Sequence, residues 1–188
     1  MVLVIINIII KALGFIYRII LTRLLGTEGI GLSEMATPIF AFFLVISTWG
    51  ISLAMSKMIA ESFSQNRPDK AQKVFKTGRN LMMIGGSLTT ALAILLAKPL
   101  TLHLATDPRV YYCFCIMIPS IFIIALCSAY RAYFQGLKEL STLGFSQLAE
   151  QIIRVVVGLY LAYLFLPYGL LPAVMGVAAG GVFGEFAG

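Results

Sequence analysis

Apolar residues run along this chain in long blocks, not in short alternating stretches. Six blocks, at 2–25, 32–60, 80–97, 110–130, 143–166 and 170–188, each hold at least 18 residues with few charges. Blocks of this length match a hydrocarbon core of about 30 Å crossed at about 1.5 Å per helical residue. Barrel strands need only about 9–11 residues, and helices and closed barrels are the two structures that satisfy backbone polar groups in lipid. The pattern therefore predicts an all-α membrane protein, a bundle of about six transmembrane helices. The breaks carry turn chemistry. Gly26-Thr27-Glu28-Gly29-Ile30-Gly31 separates the first two blocks, and Ser64-Gln65-Asn66-Arg67-Pro68-Asp69 is the most polar stretch, with Asp69 placed to cap the next helix. Lys98-Pro99 closes the third block, Asp107-Pro108 opens the fourth, and Pro167-Tyr168-Gly169 divides the last two. Pro38 predicts a kink in the second.

Composition agrees with the pattern. Of 188 residues, 60% are hydrophobic and 12% charged, half the charged share of about 25% in soluble domains; the mean hydropathy is +0.95. The net charge of +6 could suggest nucleic acid, but the distribution of the basic residues argues for loops at a membrane and no nucleic-acid partner. Lys57, Arg67, Lys70, Lys73, Lys76 and Arg79 cluster around one break, and Arg131 and Lys138 flank another on the same side. The opposite loops hold Lys98 and Arg109, with Arg23 at their border. The positive-inside rule then places the N-terminus in the cytoplasm of a multi-pass protein of the plasma membrane. Tyr111, Tyr112, Tyr160, Tyr163 and Tyr168 fall near one interface, Tyr130 and Tyr133 near the other, as an aromatic belt would. Cys113, Cys115 and Cys127 are odd in number and have no histidine near them, so the sequence points to neither a zinc site nor a disulfide framework. Lys11 inside the first apolar run argues against a removable signal peptide.

The chemistry lies where charge enters the spans. Asn7, Lys11, Gly14, Arg18 and Thr22 recur at spacings of 4, 3, 4 and 4, which at about 100° per residue form one polar stripe on an otherwise apolar helix. A lysine or arginine near the middle of a spanning helix costs about 2.5–3.5 kcal/mol on insertion scales, so the stripe predicts a water-filled cavity or an anion beside it. Arg23 lies off the stripe, where it can snorkel outward. In the fifth block Gln147, Glu150, Gln151, Arg154 and Gly158 share a face, with Glu150 and Arg154 in the favourable i, i+4 order. Glu34, Thr48, Ser52 and Ser56 share a face of the second block. Gly176, Gly180, Gly184 and Gly188 repeat every four residues, the small-xxx-small spacing of tightly packed membrane helices; Glu185 sits among them with no partner legible in the sequence. His103 falls in an outer loop. Nothing resembling a nucleotide loop, a nucleophile–base pair or a metal-ligand cluster appears, so neither an enzyme nor a cofactor is expected.

Four stretches carry a resemblance: residues 11–32 (KALGFIYRIILTRLLGTEGIGL), 50–57 (GISLAMSK), 130–138 (YRAYFQGLK) and 146–155 (SQLAEQIIRV). Together they resemble the stage V sporulation protein B family of the multidrug/oligosaccharidyl-lipid/polysaccharide exporter superfamily, alongside the lipid II flippases. The resemblance implies about fourteen helices in two six-helix lobes plus a terminal pair. Residues 1–188 would then be the N-terminal lobe, truncated within the sixth helix, with a missing C-terminal lobe as its partner. It implies transport of undecaprenyl-linked sugars or peptidoglycan precursors for cell-wall or spore-cortex synthesis, with membrane lipid as surroundings. Arg18 and Arg23 lie where lipid II flippases place cavity arginines, although those carry an Arg-Asp pair where this chain has Tyr17-Arg18.

The expected function is therefore one lobe of a flippase working by alternating access. Lys11 and Arg18 would hold the diphosphate of a lipid-linked precursor, Gln147, Gln151 and Arg154 its sugar or peptide groups, and Glu150 would orient Arg154. Two alternatives stand beside it. A cation-coupled multidrug exporter lobe would use carboxylates such as Glu34, Glu150 or Glu185, and a non-transporting scaffold or inactive fragment would use none of them.

Overall fold

A computed structural model describes residues 2–48 and 50–188, and within them every regular element is helical. The chain forms α1 (Val2–Thr48), α2 (Ile51–Ser64), α3 (Pro68–Leu104), α4 (Val110–Gly136), α5 (Leu140–Phe165), a 3₁₀ turn (Leu166–Tyr168) and α6 (Leu170–Ala187). Five segments are long and apolar enough to cross a membrane, and the first of these runs over Val4–Ser64. The chain is an all-α multi-pass membrane protein.

The first segment accounts for the sixth crossing, because α1 reverses at Gly26. Its backbone there has φ 67° and ψ −174°, a region that is essentially open to glycine alone. Arg18 and Glu34 would stand about 24 Å apart on one straight helix, yet Arg18 Nη2 lies 2.9 Å from Glu34 Oε1. The two arms of α1 are thus the first and second spans, and the six-residue break read from the sequence shrinks to one residue. Pro38 sits in the second arm with helical dihedrals, while the next interruption falls at Gly50 (φ 70°). Trp49, inside the expected second span, lies outside the described residues. The interruption ends the second span earlier than the expected residue 60 and moves Ser52 and Ser56 onto a separate helix from Thr48.

α3 also departs from its expected bounds. At 37 residues it is about 55 Å long, so it projects well beyond a 30 Å hydrocarbon core. Lys70, Lys73, Lys76 and Arg79 ride on that projection instead of a loop, and His103 lies in the last turn of the helix. Asp69 sits in the first turn, where its charge suits the helix dipole, but makes no capping hydrogen bond. α4 starts at its expected edge but runs six residues past 130, to Gly136, while α5 and α6 start and stop within a turn of their hydropathic edges.

Packing follows membrane rules. Lipid offers no hydrophobic incentive for helices to associate, so close approach of small residues takes over. A Cβ built on Gly180 would lie 2.3 Å from Gly158 Cα, and one on Gly176 2.9 Å from the Leu161 carbonyl carbon. The α6 glycine stripe therefore lies backbone to backbone on α5. Three buried clusters run along the bundle. Leu21, Leu25, Val110 and Val174 pack near the Gly26 end, and Phe43, Ala93, Phe114 and Ile121 pack further along. Met55, Ile59, Met82 and Ala129 gather where α2 meets α3 and α4. At the Gly26 end, Arg109 Nη1 reaches Glu28 Oε1 at 3.0 Å, which joins the first reversal to the α3–α4 loop.

Candidate functional site

The cations predicted to matter fall into two groups on adjoining cavities. The first cavity, of about 260 Å³, is lined by Gly14, Tyr17, Arg18, Ser33 and Glu34 on the facing arms of α1, and by Val177. The second, of about 270 Å³, is lined by Tyr17, Ser33, Thr37, Ser120, Arg154 and Glu185. They share Tyr17, Ser33 and Val177. Tyr17 can separate them because Gly158 leaves room for it: a Cβ at 158 would lie 2.4 Å from the Tyr17 hydroxyl oxygen.

Arg18 meets Glu34, a pairing that the sequence did not suggest because it needs the reversal at Gly26. Both side chains stay open, 67% and 56% exposed. An open pair of this kind contributes little to stability, so an anion entering the cavity can compete with Glu34 for the guanidinium. Thr22, next on the stripe, turns inward to its own helix and donates to the Arg18 carbonyl at 2.7 Å. Lys11 is exposed and, among the described residues, has no ion-pair partner. It does not line either cavity.

Arg154 sits in a chain of four alternating charges. Arg131 Nη2 lies 2.5 Å from Glu150 Oε2, and Glu150 Oε1 lies 2.5 Å from Arg154 Nη2. Arg154 Nη2 also lies 2.5 Å from Glu185 Oε1. The i, i+4 contact between Glu150 and Arg154 is as read from the sequence. Glu185 gains Arg154 as the partner that sequence could not supply, and Arg131, read as a loop cation, is half-buried on α4 facing Glu150. These contacts tie α4, α5 and α6 together within the spans, where unpaired charge is costly. The Nε atoms of Arg154 and Arg131 are buried without a hydrogen-bond partner; a donor of this kind beside the second cavity suits a polar ligand or a water molecule.

The glutamines of α5 sit at its seam with α1. A Cβ on Gly14 would lie 3.5 Å from Gln151 Nε2, an ordinary van der Waals contact, so the Gln151 amide packs against the stripe at Gly14. Gln147 is half-buried one turn nearer the start of α5 and lines neither cavity. The structure thus brings Arg18 and Arg154 to cavities that share Tyr17, sets Gln151 beside Gly14 but in the lining of neither cavity, places Glu150 behind Arg154, and leaves Lys11 and Gln147 towards the far end of the bundle.

Comparison with known proteins places this geometry in context. A family described as "Polysaccharide biosynthesis protein" matches residues 1–188. Stage V sporulation protein B of Bacillus subtilis (strain 168) is 31% identical over 177 residues, which covers 94% of this chain and 34% of that protein. Lipid II flippase MurJ of the same organism is 25% identical over 190 residues, covering 95% of this chain and 35% of MurJ. Sporulation protein YkvU, also of that organism, is 24% identical over 146 residues, covering 78% of this chain and 31% of its own length. The chain therefore spans about a third of the length of the curated relatives it matches. No solved structure matches it at a significant level.

Proposed function

We propose, from the premise that this chain belongs to the polysaccharide biosynthesis protein family of membrane transporters and flippases, that it forms the N-terminal lobe of a flippase for lipid-linked oligosaccharides or peptidoglycan precursors. The observation that carries the proposal is the pair of arginines, Arg18 and Arg154, each lining one of two cavities that share Tyr17 inside an apolar bundle. A diphosphate head group needs fixed cations where the effective dielectric is low and each ion pair is stronger than in water. Its prenyl tail can stay in lipid throughout.

In this reading the diphosphate displaces Glu34 from Arg18, and Lys11 attracts the head group along the same stripe. Gln151 and Arg154 hold sugar or peptide groups, Gln147 extends that polar face, and Glu150 fixes Arg154. The N-terminus lies in the cytoplasm, so the basic corner formed by α2 and the start of α3 faces inward. A second lobe completes the cavity, and rocking of one against the other alternates access.

A cation-coupled exporter is favoured less, because the polar stripe of the first span carries cations, Lys11 and Arg18, where such an exporter would use carboxylates. The test is translocation of a fluorescent undecaprenyl diphosphate-linked sugar by the whole protein in vesicles. Arg18→Ala is expected to abolish it with membrane insertion unchanged. Wild-type flipping by that variant would remove Arg18 from the mechanism.

A further inference from the structure

The α2–α3 corner holds a groove that plays no part in the transport reading. It has a volume of about 450 Å³, with Ile51, Met55, Met58, Val74 and Leu81 along its apolar length and Lys70 and Lys73 at one end. Met55 forms the floor, its sulfur packed so tightly over Gly78 that a Cβ at 78 would lie 2.2 Å from it. We propose that this groove is a binding site for an anionic glycerophospholipid, with its phosphate on Lys70 and Lys73 and one acyl chain along the methionine floor.

Depth supports this occupant. The apolar stretch of α3 ends at Lys98, and about 20 residues span the hydrocarbon core, so the opposite boundary falls near Gly78. Leu81 lies on the hydrocarbon side of that boundary. Lys73 lies about 7 Å beyond it and Lys70 about 12 Å, at about 1.5 Å per residue, which is the level of head groups. α2, with 14 residues, is about 21 Å long and too short to span; it serves as the second wall. Leu81 remains half exposed, at 52%, so the acyl end of the groove, between Ile51 and Leu81, is open to lipid. From 51 to 79 there are six basic residues against two acidic ones, Glu61 and Asp69. That charge selects an anionic head group over a zwitterionic one. Phe75 stacks near Tyr133 and Tyr130 on the neighbouring face, at 4.7 and 5.4 Å between ring centroids, as aromatic residues do at an interface.

The test is native mass spectrometry of the whole purified protein titrated with dioleoyl phosphatidylglycerol, with dioleoyl phosphatidylcholine as control. Preferential retention of phosphatidylglycerol is expected. K70Q/K73Q should weaken it about thirtyfold, about fivefold per lysine, whereas Lys138→Gln on the same side should leave it unchanged. Ala54→Trp, which fills the groove without altering charge, should also weaken it. Glycerol 3-phosphate should not displace the lipid, since it lacks the acyl chain. Equal retention of phosphatidylcholine, wild-type affinity in K70Q/K73Q, or displacement by glycerol 3-phosphate would each overturn the proposal. So would a photo-crosslinker at position 58 that captures another segment of the protein in place of lipid.

Discussion

Removing Arg154 should harm the fold more than removing Glu185, and removing both should harm it less than removing Arg154 alone. Arg154 stands between two carboxylates, Glu150 and Glu185, and Glu150 is shared with Arg131. With charge centres about 4 Å apart and an effective dielectric near 20, each contact is worth about 4 kcal/mol before desolvation and residual screening are subtracted. The side chain of Glu185 is only 15% exposed and that of Arg154 31%, so much of the attraction survives. Glu185→Ala takes one of two partners from Arg154, and a loss of about 2 kcal/mol follows. Arg154→Ala takes from Glu185 the cation in direct contact with it and leaves it beside Glu150 with only the more distant Arg131, for a loss of about 3–4 kcal/mol. In R154A/E185A the stranded carboxylate is gone, so the double variant should recover about 1–2 kcal/mol relative to R154A, as coupling within one network requires. Reversible unfolding in mixed detergent micelles measures all three. Strict additivity of the two losses would refute the network.

Three other perturbations probe the architecture and the site. Gly26→Ala should destabilise the chain by about 1–3 kcal/mol, because φ 67° with ψ −174° excludes a Cβ, and Gly26→Asn should not rescue it, since asparagine favours a different left-handed region; unfolding midpoints read both. Gly180→Leu should force α6 off α5, since even a Cβ would fall 2.3 Å from Gly158 Cα; a cost of about 1–3 kcal/mol from overpacking is read from thermal stability, together with a loosened cross-link yield between cysteines placed on the two helices. Glu34→Gln leaves Arg18 without its carboxylate, so binding of a diphosphate lipid, followed by fluorescence, should tighten in E34Q and disappear in R18Q.

Much of the bundle was legible because hydropathy alone sets where a helix can cross lipid, and the last two spans begin and end near their hydropathic edges. The stripe through Lys11, Gly14 and Arg18 and the pairing of Glu150 with Arg154 were legible too, since both follow from the turn of a single helix. Arg18 with Glu34 and Arg154 with Glu185 were not, because each depends on how one helix is set against another. The glycine stripe on α6 announced a close neighbour without naming it; α5 answers through Gly158, Leu161 and Arg154. Hydropathy misplaced the start of α3, because a helix continues unbroken past the lipid boundary while its side chains turn from leucine to lysine. Arg131 was grouped with loop cations for a related reason. Its helix runs on to Gly136, so it stays inside the packed region, where Glu150 neutralises it.

The claim on which the functional reading rests is that water reaches Arg18 and its cavity from within the bilayer. Cysteines placed singly at 11, 18 and 33 of the whole protein, with Cys113, Cys115 and Cys127 replaced, can be challenged with a membrane-impermeant maleimide in sealed vesicles. Labelling at 18 and 33 is the expected result, slowed by an undecaprenyl diphosphate sugar at 33, where Arg18 is retained. Complete protection at 18 and 33 in the substrate-free protein, in vesicles of both orientations and with normal labelling of loop cysteines at 66 and 107 on the two faces, would contradict it.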